Sequence, residues 1–240
     1  KLLVDGDVSL NGKLLVDGDV SLNGKLIVGS DVSFNENVDV CGNFYAQYPV
    51  NSIPGTAVIT TGSGNISTNT TIGVNALTSN TTGTHNVANG YMALYDNSSG
   101  SYNVANGSEA LTRNIEGKHN IANGFQSLYH NTTGGYNVAN GSKALRSNNV
   151  GNHNVASGVQ ALYSNTSGSE NVAVGYQSLH DNTTGQNNVA LGHEAGNNLN
   201  GGNFNTFLGA KTDVSSTAIN CSNSTAIGFN ATITESNQIV

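Results

Sequence analysis

Histidine is the residue type whose spacing most directly suggests chemistry. His85, His119 and His153 follow one another at equal intervals along the chain. Imidazole is a common zinc ligand, and a three-fold axis would gather three copies of each histidine. Their sequence neighbours are Gly, Thr, Lys and Asn, without the Cys or carboxylate pattern of most metal sites. We interpret them first as surface or interface hydrogen-bonding groups, with a metal site as the alternative, and we expect no cofactor.

Tyrosine is the second residue type with a regular spacing. Tyr95, Tyr129 and Tyr163 recur at the same interval as the histidines, and Tyr102 and Tyr136 stand midway between successive histidines. A tyrosine ring offers an apolar face and a hydroxyl group, a combination that suits contact with sugars. The alternative is packing between chains or coils, in which large and small residues alternate. The predicted glycan-facing residues are Tyr91, Tyr95, Tyr102, Tyr129, Tyr136 and Tyr163.

Catalytic patterns are not found in the sequence. Nucleophilic catalysis needs a nucleophile, a base and an orienting acid around one pocket. The carboxylates of this chain are scattered, and neither a G-x-S-x-G motif nor a paired-acid spacing occurs. We therefore predict that the chain is not an enzyme.

Asparagine sequons of the form N-x-S/T are frequent. In a eukaryotic secretory pathway they would be glycan acceptors, but most belong to repeated turn sequences such as NTTG, NSSG and NGS. Turn chemistry explains them without glycosylation. The sequons are Asn65, Asn69, Asn80, Asn97, Asn106, Asn131, Asn140, Asn165, Asn182, Asn220, Asn223 and Asn230.

The elements that position these residues are tandem repeats with a 17-residue period. The unit reads N-V-A-x-G-x-x-A/S-L-x-x-N-x-x-G-x-x, and its first residue defines position 1. Positions 1, 5 and 9 are Asn, Gly and Leu in successive units. The predicted ladder residues are Asn86, Asn103, Asn120, Asn137, Asn154, Asn171 and Asn188; Gly90, Gly107, Gly124, Gly141, Gly158 and Gly175; and Leu94, Leu111, Leu128, Leu145, Leu162 and Leu179.

This unit predicts one coil of a β-solenoid rather than a helix. The segments between glycines are too short for stable helices, so we expect two short strands and two turns per coil. Stacked coils bring identical positions into register and form Asn and Leu ladders. The recurrent Ala and Leu give a thin interior, and lateral association of chains is therefore expected.

The segment 1–48 carries a different, six-residue repeat. KLLVDGDVSLNG occurs twice without change, and within each hexad two apolar residues alternate with polar ones before a glycine. This alternation predicts a very short strand followed by a tight turn. Burying two side chains gains about 1.5–3 kcal/mol each, which roughly cancels the backbone entropy of about 1–2 kcal/mol per residue. Three chains around one axis would pool their apolar faces, and we favour a homotrimer.

Composition and charge restrict the partners. Charged residues are 10% of the chain, against about 25% in a typical soluble domain, and the formal net charge is −7. No basic cluster occurs along the sequence, and nucleic acid and anionic membranes both require one. No apolar run approaches the roughly 20 residues of a membrane span. We expect neither nucleic-acid binding nor membrane insertion.

The repeats resemble those of a known class of proteins. NVAVGYQSLHDNTTGQNNVALG (Asn171–Gly192) and the segment NTFLGAKTDVSSTAINCSNSTAIGFNATITESNQIV are similar to repeats of viral and phage tail-fibre or spike proteins. The N-V-A-x-G element also resembles the repeated motif in the heads of trimeric autotransporter adhesins. This resemblance implies a homotrimer, an extracellular or virion-surface location and attachment to cell surfaces, with possible end-to-end filament neighbours and cell-surface glycans as partners.

Together these features predict an all-β chain in which a trimeric β-helical shaft leads into a β-solenoid or β-roll. The predicted divisions are a hexad shaft at 1–48, a transition at 49–68, the 17-residue-repeat solenoid at 69–223 and a terminal cap at 224–240. The predicted function is a non-catalytic structural fibre or spike segment that gives rigid reach for attachment. A bacterial surface adhesin or matrix filament, and a glycan-binding spike, are the alternatives.

Overall fold

The computed structural model describes residues 59–61, 66 and 68–240. In this part the chain is all-β, and no helix is present among the described residues. The 17-residue repeats wind into a parallel β-solenoid in which each repeat is one coil, as the sequence predicts. The hexads at 1–48 lie outside the described residues, and the shaft and trimer drawn from them remain predictions.

The strands are very short, because each coil turns after three extended residues. Most belong to one 11-stranded sheet, and the last two coils add a small two-stranded sheet. In chain order the strands are β1 (Ile59–Thr61), β2 (Thr70–Ile72), β3 (Val87–Asn89), β4 (Val104–Asn106), β5 (Ile121–Asn123), β6 (Val138–Asn140), β7 (Val155–Ser157), β8 (Val172–Val174), β9 (Val189–Leu191), β10 (Thr206–Leu208), β11 (Asp213–Val214), β12 (Thr225–Ile227) and β13 (Thr232–Ile233).

Identical repeat positions face each other across the large sheet. Its order is β1-β2-β3-β4-β5-β6-β7-β8-β9-β10-β12. Ala88 lies opposite Ala105, one repeat further along the chain, and the pairing is parallel. Only β1 and β2 pair antiparallel among the described strands. The parallel register places every repeat position in a row along the solenoid.

Each coil contributes one strand to the large sheet, not the two strands that the sequence analysis predicts. The reason is the backbone at positions 7 and 9, where Met92 and Leu94 have φ values of 54° and 52°. An extended strand cannot continue through left-handed residues. The position-9 leucines all have φ between 49° and 53°, a conformation that costs about 1–2 kcal/mol for a residue with a β-carbon. Burial of a leucine, worth about 1.5–3 kcal/mol, offsets that cost.

The interior is closed within a single chain. The alanines at position 3 and the leucines at position 9 are fully buried, as Ala105 and Leu111 show. The coils on either side cover them, so the Leu row does not need sister chains. The outward-facing residues of the strands stay open, as in the Val/Ile row at position 2, where Val87, Ile121 and Val189 expose 38%, 38% and 42% of their surface.

Two asparagine ladders complete the interior, and both meet the same glycine carbonyl. At position 1, Asn86 Oδ1 accepts a hydrogen bond from the backbone N–H of Asn103 at 2.9 Å, and Asn86 Nδ2 donates to the Gly100 carbonyl at 2.8 Å. At position 12, Asn97 Nδ2 donates to the same carbonyl at 3.0 Å and to Asn80 Oδ1 at 2.8 Å. Buried amides are stable only when satisfied in this way, and the predicted Asn rows are fully buried.

The glycines mark places where coils approach each other too closely for a side chain. A β-carbon on Gly107, which has φ 140°, would lie 2.7 Å from the carbonyl oxygen of Gly124 in the next coil. A β-carbon on Gly100 would lie 2.5 Å from Asn114 Nδ2 and 2.5 Å from the Gly117 carbonyl oxygen. The first glycine therefore permits the turn after the strand, and the second permits the Asn ladders to converge.

The regular pattern ends near the C-terminal coils. Leu199 takes position 12 after Asn182, and Asn182 Oδ1 is consequently the one buried polar side-chain atom without a partner among the described residues. The next coil spans 19 residues, since the Ser224 N–H donates to Asn205 Oδ1 over that separation. Residues 238–240 then lie alongside β12, where Thr225 N–H donates to the Gln238 carbonyl at 2.8 Å.

Candidate interaction surfaces

An aromatic stack runs along one corner of the solenoid at position 17. His85, Tyr102, His119, Tyr136 and His153 alternate in five consecutive coils, with adjacent ring centroids 4.8–5.0 Å apart and nearly parallel planes. All five have φ between 57° and 59°, so the left-handed corner projects each ring outward. The rings are exposed. The regular spacing predicted from the sequence thus produces a continuous column of rings.

This geometry restricts the chemistry of the column. Each inner ring has both faces covered by its neighbours, and Tyr102 and Tyr136 therefore present edges and hydroxyl groups to solvent rather than open faces. The histidines are separated by tyrosines, which keeps any two of them from sharing a metal ion within one chain. No group of three His, Cys, Asp or Glu residues that could hold a metal ion occurs in the part of the chain described.

A second ladder, at position 10, combines aromatic rings with arginine. Arg146 Cζ lies 5.4 Å from the ring centroid of Tyr129 and 5.8 Å from that of Tyr163. Arg113, in the preceding coil, places its Cζ 5.6 Å from the Tyr129 centroid. These distances are typical of cation–π contacts. The Tyr163 ring also stacks on His180 at 5.1 Å.

His130 lies beside this ladder, and the charges of the two arginines affect its pKa. Its ring meets Tyr129 edge-on with centroids 4.7 Å apart, and its Nδ1 lies 3.5 Å from Arg113 Nη1. Burial lowers the pKa of His130 below its ordinary value, and the positive charges of Arg146 and Arg113 lower it further. Neutral His130 can accept a hydrogen bond from the Arg113 guanidinium at Nδ1.

The remaining predicted glycan-facing tyrosines lie on two faces. Tyr91 is 49% exposed at position 6, and Tyr95 is half-buried at position 10. Neither stacks on another ring among the described residues. Sequence reasoning missed Arg113 and Arg146, which lie in the coils immediately before and after that of Tyr129. Arg113 stands at position 11 and Arg146 at position 10 of the repeat. Aligning the repeats would have shown that both lie next to the position-10 tyrosines.

The outer face of the large sheet carries no charge. The residues of β2–β10 and β12 are all apolar or neutral. At position 4 the row starts at Ile72 and continues with hydrogen-bonded asparagines, Asn123 Nδ2 donating to Asn140 Oδ1 at 2.8 Å. It then becomes apolar, with Leu191, Leu208 and Ile227 exposed by 48%, 43% and 57%. No described residue covers this face, and it is most apolar in the C-terminal coils.

A shallow polar cavity lies where the 19-residue coil departs from the pattern. Its volume is about 360 Å³, and its lining includes Asp181, Asn198 and Ser216. Asp213 lies beside it and accepts a hydrogen bond from Asn198 Nδ2 at 2.6 Å. Burial raises the pKa of Asp213, and nearby Asp181 adds to the rise, although hydrogen bonds from Val214 and Asn198 oppose it. Cys221 is buried, and burial raises the pKa of its thiol, which makes it a weak nucleophile.

The structure divides the described sequons into two groups, and Asn65 lies outside the described residues. Those at positions 1 and 12 are buried in the Asn ladders with their Nδ2 atoms engaged, namely Asn69, Asn80, Asn97, Asn131, Asn165 and Asn182. Asn106 and Asn140 are exposed on the sheet face, and Asn220, Asn223 and Asn230 are exposed in the last coils. Ladder packing, rather than turn chemistry alone, accounts for the first group.

No described segment forms a helix with the length and apolarity needed to cross a bilayer. No protein-family model, no curated protein and no solved structure matches this chain.

Proposed function

We propose that the chain is a structural segment of a fibre or spike, assembled as a homotrimer and used for attachment at an extracellular or virion surface. The observation that carries this proposal is the uncharged, exposed outer face of the large sheet. Parallel sheets are almost always covered on both faces, but here the described residues of the chain cover only the inner face. A second and third copy would cover the outer one.

The energetics favour such association. The position-2 residues Val87, Ile121 and Val155 each leave 36–38% of their surface exposed, and each apolar Å² removed from water is worth about 25 cal/mol. Because Val or Ile recurs at position 2 in successive coils from Val87 to Val189, the gain grows with the number of such coils. No charged strand residue has to be desolvated on this face, so the usual penalty for burying charge is absent.

The mechanical role follows from the bonding between coils. The Val87 N–H donates to the Asn103 carbonyl, and the Gly90 N–H donates to the Ile72 carbonyl, so each coil is tied to both neighbours. Each coil adds about 4.8 Å along the axis, and the Asn ladders run through the interior. The result is a rod whose length scales with repeat number, and the proposed work is rigid reach rather than catalysis.

Native mass by light scattering tests the proposal, with three chain masses as the expected result. A double variant, Ile121→Asp with Val189→Asp, places two charges on the sheet face and should release monomers. The matched control is Ile115→Asp with Val150→Asp, because those residues are equally exposed, at 43% and 44%, but lie at positions 13 and 14, away from the strands. A stable wild-type monomer, or an equal effect of both double variants, contradicts the assignment of this face.

A further inference from the structure

Coil stacking brings Arg113 and Arg146 to the same tyrosine ring, and neither has an acidic partner among the described residues. The ion pairs of the described residues involve His180 with Asp181, and Glu194 with His193 and Lys211. Neither arginine takes part in one. Two guanidiniums therefore lie beside the same tyrosine ring, that of Tyr129, and no described carboxylate is in ion-pair contact with either of them.

The Arg146 guanidinium is held in place while most of its donors stay free. Arg146 Nε donates to Gln126 Oε1 at 3.2 Å, and Gln126 Nε2 donates to Glu109 Oε2 at 2.7 Å. The guanidinium also contacts the rings of Tyr129 and Tyr163, in the coils before and after its own. Glu109 reaches Arg146 only through Gln126. The two terminal Nη groups make no hydrogen bond among the described residues.

We infer that Arg113, Tyr129 and Arg146 form a binding site for the carboxylate or sulfate group of an acidic saccharide. A guanidinium fork pairs with either anion through parallel N–H donors. The arginines and His180 cover the faces of the Tyr129 and Tyr163 rings, so these tyrosines offer ring edges and hydroxyl groups to a sugar. Ser147 and Ser164 follow Arg113 and His130 at position 11 of successive coils. Two guanidiniums are too few for a polyanion such as nucleic acid, which needs many phosphate contacts.

The site goes beyond the mechanical role and does not depend on the number of copies. It lies on the position-10 and position-11 rows, whereas the proposed contact between copies uses the strands at positions 2 to 4. Loss of saccharide binding and loss of trimer mass are therefore separate outcomes.

Calorimetric titration of the full chain with sialyllactose, a sulfated lactose and unmodified lactose tests the inference. We expect one of the two acidic sugars to bind at least about tenfold more tightly than lactose, since a charge-assisted hydrogen bond is worth about 1.5–3 kcal/mol. The preferred acidic sugar identifies the anion. Binding should also raise the pKa of His130, because the anion offsets the charges of Arg113 and Arg146, and NMR of the imidazole reports this shift.

Arg146→Gln should weaken binding of the acidic sugar at least about tenfold. Lys118→Gln is the matched control, because it removes the same charge from an exposed residue outside the cluster, and it should bind as the wild type does. Three results would overturn the inference: equal affinity for acidic and neutral sugars, unchanged affinity in the Arg146 variant, or absence of binding. Tighter binding of a single-stranded oligonucleotide than of either acidic sugar would replace the saccharide with a nucleic acid and also overturn it.

Discussion

The phenyl ring of Phe207 packs against Gly196 and fills the space that a leucine side chain fills in the regular coils. A β-carbon added to Gly196 would lie 2.8 Å from Phe207 Cδ2. Gly196 stands at position 9, where earlier coils have Leu, and Phe207 stands at position 3, where they have Ala. Both residues are buried. The two departures from the repeat therefore compensate each other in volume, and the solenoid continues through a coil that looks irregular in sequence.

This pairing predicts a strong coupling between the two positions. Phe207→Ala should lower the free energy of unfolding by about 3–5 kcal/mol, because it leaves a cavity. Gly196→Leu should lower it by about 1–3 kcal/mol or more, because the side chain meets the phenyl ring. The double variant restores the Leu and Ala of the regular coils, such as Leu128 and Ala139, and should recover most of the loss. Chemical denaturation of the four proteins measures the coupling.

The same swap can be introduced into a regular coil as a control. Leu128→Gly with Ala139→Phe should be less destabilising than either single change, since the volumes again match. Additive losses at either site would show that Phe207 does not take over the role of the missing leucine.

The position-12 ladder predicts that equivalent asparagines contribute unequally to stability. Asn131→Ala leaves Asn114 Oδ1 without its donor, a new buried unsatisfied atom. Asn182→Ala similarly strands Asn165 Oδ1 but also removes the unpartnered Asn182 Oδ1. Since each such atom costs about 1–3 kcal/mol, the Asn131 variant should be less stable by that amount. Denaturation midpoints compare the stabilities of the two variants. Equal losses of stability would contradict the statement that Asn182 Oδ1 has no hydrogen-bond partner at the end of the ladder.

The two groups of sequons predict which asparagines are modified when the chain passes through a eukaryotic secretory pathway. Folded, secreted protein should carry glycans at exposed sites such as Asn106 and Asn230 and none at buried sites such as Asn131. A glycan on Asn131 would have to displace the amide that donates to the Gly134 carbonyl at 2.9 Å. Peptide mapping by mass spectrometry measures the occupancy.

A glycan on Asn106 also tests the proposed contact between copies. Asn106 lies on the sheet face at the end of β4, whereas Asn230 lies in the last coils. Occupancy of Asn106 should accompany monomers. Asn140 is a second exposed sequon on the same face, so Asn106→Gln together with Asn140→Gln should restore the larger mass. Occupancy of Asn230 serves as the comparison. A glycan found on Asn131 in the folded protein would show that the Asn131 amide is not buried in the position-12 ladder.

The sequence predicted the repeat architecture but not the shape of each coil. The repeat period, the positions of Gly and Asn and the buried Leu row could all be predicted from the spacing of identical residues. Stacking identical units forces identical positions into rows. The single strand per coil did not follow, since Leu94 adopts a left-handed conformation that leucine disfavours outside a packed coil. The Arg113 and Arg146 pair was missed for a different reason. The two arginines are 33 residues apart in the sequence, whereas the solenoid places them in the coils on either side of Tyr129.

The lowered pKa of His130 predicts an acid-sensitive contribution to stability. The unfolded chain titrates near the ordinary histidine pKa of about 6.5, whereas burial and the charges of Arg146 and Arg113 lower the pKa of His130 in the folded state. Between these two values the unfolded chain binds more protons. Stability from this group is therefore fully present above about pH 6.5 and is lost as pH falls through the folded pKa.

Arg146→Gln should move the pKa of His130 upward, because it removes one of the two repelling charges. The pKa should stay below the ordinary value, since burial is the largest cause and Arg113 remains. NMR titration of the His130 imidazole measures this shift, and Lys118→Gln, which alters a charge away from the cluster, should leave it unchanged. His130→Gln should abolish this part of the pH dependence when unfolding is compared at pH 7.5 and 5.5. A His130 pKa that does not respond to Arg146 would mean that the guanidinium does not lie where the position-10 ladder places it.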